Sequence, residues 1–214
     1  RKPKPNTTEN KQLTVSSAIM DPSGKGVWSE EVAASANVVQ NLTLRAAQLW
    51  EQPAKDGDVA ALYSLVTSLK AEGVAVDQVT TTFGVRKAEY TADRGFILND
   101  KVVKVRGMCN HQDFAGIGTA VPPGLQDFRV RKLQSLGVNA WRMSHNPPDP
   151  ALLDAADRRG LMVWDENRMF GDFVTWYDDQ ADMIMRDRNH PSIMCVGRGN
   201  AGPSLTSLAR FLPL

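Results

Sequence analysis

Apolar and polar residues alternate in short runs through the first part of the chain and recur at helical spacing in the second. From Gln12 onward, Leu13–Val15 and Ser17–Ile19 read as strand, and Asp21-Pro-Ser-Gly24 supplies a turn. Glu31–Asn37 and Val38–Leu44 alternate loosely, and Ala61–Leu69 alternates over a longer stretch. Gly73–Asp77 and Val79–Arg86 follow. Short strands separated by turn residues predict an immunoglobulin-like β-sandwich. Segment 58–70 also tolerates a helix, because Ala and Leu suit either state. Its β-branched content and the stop at Gly73 favour strand. Trp50 is expected in the sandwich core.

Beyond Arg86 the pattern changes. Gly95–Arg106 reads as a hairpin turning at Asn99-Asp100, a pair that tolerates positive φ. Its second arm, Val102–Met108, runs on into Cys109-Asn-His-Gln-Asp113. After the glycine-rich Gly116-Ile-Gly118 a helix is predicted from Pro122 to Leu136. Leu125, Phe128, Leu133 and Leu136 share its inner face, and Gly137 ends it. Val138–Ser144 is a strand stopped by Asn146-Pro147-Pro148, since proline lacks the ladder N–H and biases the preceding residue away from helix. Asp149-Pro150 opens the next helix as N-cap and first helical residue. That helix places Leu152, Ala155 and Ala156 on one face and stops at Gly160. Leu161–Glu166 is a buried strand ending in two carboxylates. A helix near Asp178–Arg188 and a strand at Ser192–Val196 complete the series. Trp141 and Trp164 lie within strands and are expected in the core.

Strand and helix in alternation predict half of a parallel (β/α)8, or TIM, barrel, a fold that needs about 250 residues when complete. Chemistry in such barrels is done at the C-terminal strand ends, where Arg142, Ser144, His145 and Asn146 fall. The expected division is a linker at 1–10, an immunoglobulin-like β-sandwich at 11–90, the N-terminal half of a TIM barrel at 91–204 and an atypical tail at 205–214. An open half-barrel exposes parallel strand edges that normally find partners. The chain is therefore expected to be truncated relative to its parent fold, with a complementary chain or an oligomer partner to match.

Charge narrows the partners. Basic residues number 25 and acidic residues 24, for a net charge of +1. That balance gives no argument for nucleic acid or an anionic membrane. No apolar run reaches transmembrane length. The chain starts at Arg1 without a signal-peptide core and reads as a piece of something longer. Cys109 and Cys195 form no disulfide framework and lack metal-ligand spacing. His111, His145 and His190 match no zinc pattern, so neither a metal nor a cofactor is expected. Asp165 and Glu166, as neighbours on a strand, point to opposite faces and cannot both meet one substrate. One of them is expected to contact Arg142 or another supporting group, with Glu166 nearer the pocket; a structural ion pair is the competing reading. His190, before Pro191, reads as structural.

Several motifs in order resemble glycoside hydrolase family 2, the β-galactosidase and β-glucuronidase group. Arg142-Met-Ser-His-Asn-Pro-Pro148 is the most specific, resembling the family's R-x-S-H-N-P-P segment. Thr82-Phe-Gly-Val-Arg-Lys87 resembles the strand leaving the family's immunoglobulin-like domain, and Gly95-Phe-Ile-Leu-Asn99 the lead into its barrel. Arg106-Gly-Met-Cys-Asn-His-Gln-Asp113 is similar to R-G-V-N-x-H. Asp157-Arg-Arg-Gly-Leu161, Asp165-Glu-Asn-Arg168 and Arg186-Asp-Arg-Asn-His-Pro-Ser192 follow at the expected intervals. The resemblance implies retaining hydrolysis of terminal β-glycosides, β-galactosides foremost, by two carboxylic acids. It implies that His111 and His145 contact sugar hydroxyls and the developing charge. Glu166 and Asn200 would join them in binding sugar, supported by Arg142, Asp165 and Asn146. In the family a Glu follows the Asn at the end of the fourth strand; here Asn200 is followed by Ala201. The family's nucleophile belongs to a later strand. No intact catalytic residue is therefore expected, and the chain alone should be inactive. A non-catalytic sugar-binding or partner-docking remnant is the alternative.

Overall fold

The computed structural model describes residues 12–53, 58–168 and 174–197. The chain forms two compact units, one of residues up to Leu49 with Ala61–Val85, the other of Trp50–Ala60 with Arg86 onward. The expected linker at 1–10, Asn200, Ala201 and the tail at 205–214 lie outside the described residues.

In the first unit, β1 (Leu13–Met20), β2 (Gly26–Ala33), β3 (Tyr63–Ala71) and β4 (Val74–Phe83) form an antiparallel sheet ordered β2-β1-β3-β4. The Asp21 carboxylate builds the first turn, accepting from the Ser23 and Lys25 amides at 2.9 and 3.0 Å. Ile19 pairs with Trp28 and Leu65, which puts these apolar side chains on one face with the buried Ser17 and Tyr63. Tyr63 stacks on Phe83 at 5.6 Å, and its hydroxyl accepts from the Gln48 amide at 2.8 Å. Segment 58–70 is strand from Tyr63 on, as its β-branched residues predict. The strands expected at 31–37 and 38–44 are not found as such. β2 stops at Ala33, and 34–49 carries only the isolated bridge of Leu49 to Val85. Here the Ser35 hydroxyl donates to the Asn37 carbonyl at 2.7 Å, a local bond that competes with ladder pairing.

The second unit begins with a small antiparallel sheet of β5 (Ala88–Thr91), β6 (Gly95–Leu98) and β7 (Lys101–Val102). Asn99 and Asp100 make its turn at φ 51° and 65°. The second hairpin arm is shorter than expected. It ends at Val102 because Asn139, from a later segment, donates to the Lys104 carbonyl at 3.0 Å and accepts from the Arg106 amide at 2.7 Å. Those backbone groups therefore need no ladder partner.

A parallel sheet then runs β11-β10-β9-β8, from β8 (Gly107–Asn110), β9 (Ala140–Met143), β10 (Met162–Glu166) and β11 (Ile193–Gly197). Helices α1 (Pro123–Ser135), α2 (Pro150–Arg159) and α3 (Val174–Asp187) connect the strands. Trp141, Met143 and Val163 pack against Val130, Leu133, Leu152, Leu153, Ala155 and Ala156, so one face of the sheet is covered by helices. Helix α2 starts and stops where its caps predict: the Asp149 carboxylate accepts from the Ala151 amide, and Gly160 is left-handed at φ 67°.

Three expectations about burial are corrected. Helix α1 buries Gln126, Arg129, Val130 and Leu133, while Phe128 and Leu136 are exposed. The buried set follows helical i, i+3, i+4, i+7 spacing, and hydrogen bonds described below engage its two polar members. Trp50 is fully buried in the second unit, where its indole N–H donates to the Asp157 carbonyl at 2.8 Å. Trp164 is 43% exposed. It alternates with Val163, so it lies on the sheet face opposite the helices, and its indole crosses Gly197, where a Cβ would come within 2.2 Å of Nε1.

Candidate functional site at the strand ends

The C-terminal ends of β8, β9 and β10 gather four of the predicted residues. Glu166, on the last position of β10, is fully buried. Its Oε2 accepts from Arg142 Nε at 2.7 Å, and its Oε1 meets His145 Nδ1 at 2.5 Å. The proton of that second bond sits on Nδ1, because a carboxylate can only accept. Nε2 is then the imidazole nitrogen left for a ligand. Arg142 also lies 5.5 Å over the Trp164 ring and places Nη1 3.8 Å from Cys109 Sγ. His111 stands edge-on to His145 with ring centroids 5.7 Å apart. The Ser144–His145 peptide is cis.

Arg129 positions this cluster, and the sequence reading overlooked it. From α1 its guanidinium donates to the carbonyls of His111 and Gln112, and it lies 4.9 Å over the Trp141 ring. The backbone carrying His111 is thereby tied to the helix beneath. The available signal was a charged residue at helical spacing among apolar ones, Val130 and Leu133. Asn146 is buried and turns Nδ2 onto the Pro147 carbonyl at 2.7 Å, so it shapes the proline turn.

Asp165 faces away from this group. It is fully buried, and neither carboxylate oxygen has a hydrogen-bond partner among the described residues. Burial, and then the charge of Asp187, push its pKa up to about 7, against the pull of Arg186. Arg186 is engaged in two 2.6 Å bonds to Asp187. An acid whose folded pKa lies above its unfolded value of about 3.9 holds its proton more tightly when folded. This group therefore favours the folded state below about 4, and that advantage declines as pH rises through about 7. Asp165→Asn should leave stability at low pH nearly unchanged and raise it above neutrality by about 1–3 kcal/mol. Urea unfolding at about pH 4 and about pH 8 checks this.

His190 is structural in geometry. Its Nδ1 meets Asp157 Oδ2 at 2.6 Å, while Asp157 Oδ1 accepts from the Ser192 amide at 3.0 Å. Burial disfavours the imidazolium, but the Asp157 hydrogen bond and the charges of Asp157, Asp154 and Asp187 outweigh it, so the His190 pKa is raised. Asp154, Asp157 and His190 bring potential ligand atoms within 4.8 Å of one another. Two of the three are already spent on each other, as a clamp between α2 and the turn before β11.

Known proteins resemble the chain in sequence and fold. Residues 4–86 match the family description "Glycosyl hydrolases family 2", and residues 91–175 match "Glycosyl hydrolases family 2, TIM barrel domain". A β-galactosidase of Bacteroides ovatus is 36% identical over 89% of this chain and 24% of its own length. A β-glucuronidase of Bacteroides fragilis is 31% identical over 65% of this chain and 22% of its own. Among solved structures, a family 2 member from Bacteroides cellulosilyticus superposes with a TM-score of 0.77 at 31% identity, over 88% of this chain and 27% of that one. An FMN-binding β-glucuronidase from Facaelibacterium prausnitzii superposes at 0.81 and 28% identity, over 89% and 30%. The chain thus spans about a quarter of the length of the curated relatives cited. The fold is an immunoglobulin-like domain followed by part of a TIM barrel, as the sequence predicts.

Proposed function

The chain belongs to glycosyl hydrolase family 2, and we propose that its parent activity, in a protein with the acid intact, is retaining hydrolysis of terminal β-glycosides, β-galactosides foremost. By itself the chain binds such sugars without cleaving them. The observation that carries this reading is the cluster of Glu166, Arg142, His145 and His111 at the C-terminal ends of parallel strands, where barrel enzymes bind substrate. His111 and His145 contact sugar hydroxyls, with Nε2 of His145 as one acceptor. Glu166 fixes that imidazole and Arg142, and Asn146 shapes the turn between β9 and α2. Asp165 supports β10 from behind. Asn200 meets the hydroxyl beside the reacting carbon. Arg142 is engaged by Glu166, which favours a neutral galactoside over a uronate.

Cleavage with retention requires one acid to protonate the leaving oxygen and one carboxylate to attack the anomeric carbon. Ala201 stands where the first is expected. Proton transfer to the leaving oxygen then has no group to perform it. Two measurements test this. Aryl β-galactoside turnover by the chain is expected at the uncatalysed rate, and clear turnover would refute the inactive reading. Methyl β-galactoside is expected to shift the imidazole resonances of His111 and His145 saturably in the millimolar range. Unmoved imidazoles would refute sugar binding at the cluster.

A further inference from the structure

On the helix-covered face of β9, opposite Arg142, lies a cavity of about 290 Å³. That is near the low end of the about 300–1,000 Å³ typical of small-molecule sites, a size for one ring. Its polar lining consists mainly of neutral groups that donate and accept, among them Asn110, Gln112, Thr119, Gln126 and Asn146. His111 of the cluster also borders it, and the two side chains of fixed charge that reach it are committed elsewhere. Asp149 caps α2 through the Ala151 amide at 2.7 Å, and Arg186 holds Asp187 and the Pro148 carbonyl. An anion or a cation would therefore find no uncommitted counter-charge among them.

Trp141 gives the cavity its direction. The residue is 1% exposed and lines the space, yet its buried indole N–H has no acceptor among the described residues. An unmet buried donor costs about 1–3 kcal/mol, which an oxygen in the cavity would recover. Carboxamides suit hydroxyls, because each hydroxyl both donates and accepts. Asn146 spends Nδ2 on the Pro147 carbonyl and keeps Oδ1 as an acceptor, and Gln126 accepts from Arg129 through Oε1 and keeps Nε2 as a donor. We infer that this cavity binds a neutral, polyhydroxylated ring of monosaccharide size, with the Trp141 indole N–H donating to one of its oxygens. This goes beyond the function proposed above, since Trp141 lies on the sheet face opposite Arg142 and Glu166, and the cavity adjoins their cluster only through His111, which lines it.

The test is a titration of the ¹⁵N-labelled full chain with methyl β-galactoside, read at the Trp indole N–H signals. The Trp141→Phe variant, which keeps an aromatic core residue, assigns the Trp141 signal by its loss. That signal is expected to move saturably in the millimolar range, and Asn146→Ala is expected to weaken the response about tenfold. If Trp141→Phe does not fold, sequential assignment of the wild-type indole signals serves in its place, and Gln126→Leu is a second variant with the same expected weakening. Movement of the His111 and His145 imidazoles with a stationary Trp141 signal would overturn the cavity site and leave the cluster reading standing. Movement at Trp141 with a stationary His145 imidazole would support the cavity alone, because His111 borders both sites. No movement at either overturns the cavity site, as does a Trp141 response that Asn146→Ala leaves unchanged.

Discussion

Glu166→Ala is expected to lower the unfolding free energy by about 3–5 kcal/mol, because it breaks a buried charge pair by removing one partner. The carboxylate is fully buried, while its partners Arg142 and His145 keep 24% and 27% of their side-chain surface exposed. Solvent therefore screens the guanidinium left behind, which places the cost toward the lower end of that range. Glu166→Gln separates shape from charge. An amide fills the same volume and still accepts from Arg142 Nε, so about 1–2 kcal/mol is expected for loss of the charge-assisted part. Urea unfolding followed by fluorescence of Trp164, whose ring lies under Arg142, reports on the right region. The alanine variant should also release the His145 Nδ1 proton from its acceptor, which shows as a changed imidazole resonance in the folded protein. A cost below about 1 kcal/mol for Glu166→Ala would mean that the three groups are separate surface contacts rather than one buried network.

The parts of the fold that were legible in the sequence are those decided within a few residues. Helix α2 is bracketed by Asp149-Pro150 and Gly160, and each signal acts on its own turn. Asn99-Asp100 needs only its own φ angles to close a hairpin. The separation of Asp165 from Glu166 follows from strand alternation, and Arg142 does meet Glu166. What was illegible depends on partners far along the chain. Trp50 gives its N–H to Asp157, and nothing near residue 50 announces that destination. The early end of β7 is set by Asn139, from the segment that leads into β9. The inner face of α1 does not follow from apolar residues alone, because two of its four buried side chains, Gln126 and Arg129, are polar. Arg129 can sit inside because two loop carbonyls and an aromatic face receive its guanidinium. The site itself was legible in its residues and illegible in its support. Recognising His111 requires a motif; recognising that Arg129 holds it requires the fold.

The segment that Trp50 anchors on Asp157 also leaves Gly160 no room for a side chain. Gly160→Ala is expected to cost about 2–5 kcal/mol, from two separable sources. The first is conformational: φ is 67°, and an L-residue there costs about 1–2 kcal/mol. The second is steric. A Cβ would lie 2.6 Å from both Gln52 Cα and Pro53 Cδ and 2.9 Å from the Glu51 carbonyl oxygen. Those are backbone and ring atoms, so no flexible side chain can swing aside, and overpacking of this kind costs about 1–3 kcal/mol. Relief would require moving residues 51–53, next to Trp50, which is anchored on the Asp157 carbonyl. Gly137 supplies the control. It ends α1 with φ 79°, and a Cβ there meets nothing within 4 Å. Gly137→Ala should therefore show the conformational cost alone, and the difference between the two variants in urea unfolding measures the contact with residues 51–53. Equal losses would mean that residues 51–53 do not pack on Gly160 in solution. A larger loss at Gly160 means that the end of α2 can be occupied only by a residue without a side chain, because a distant segment of the chain already fills the space.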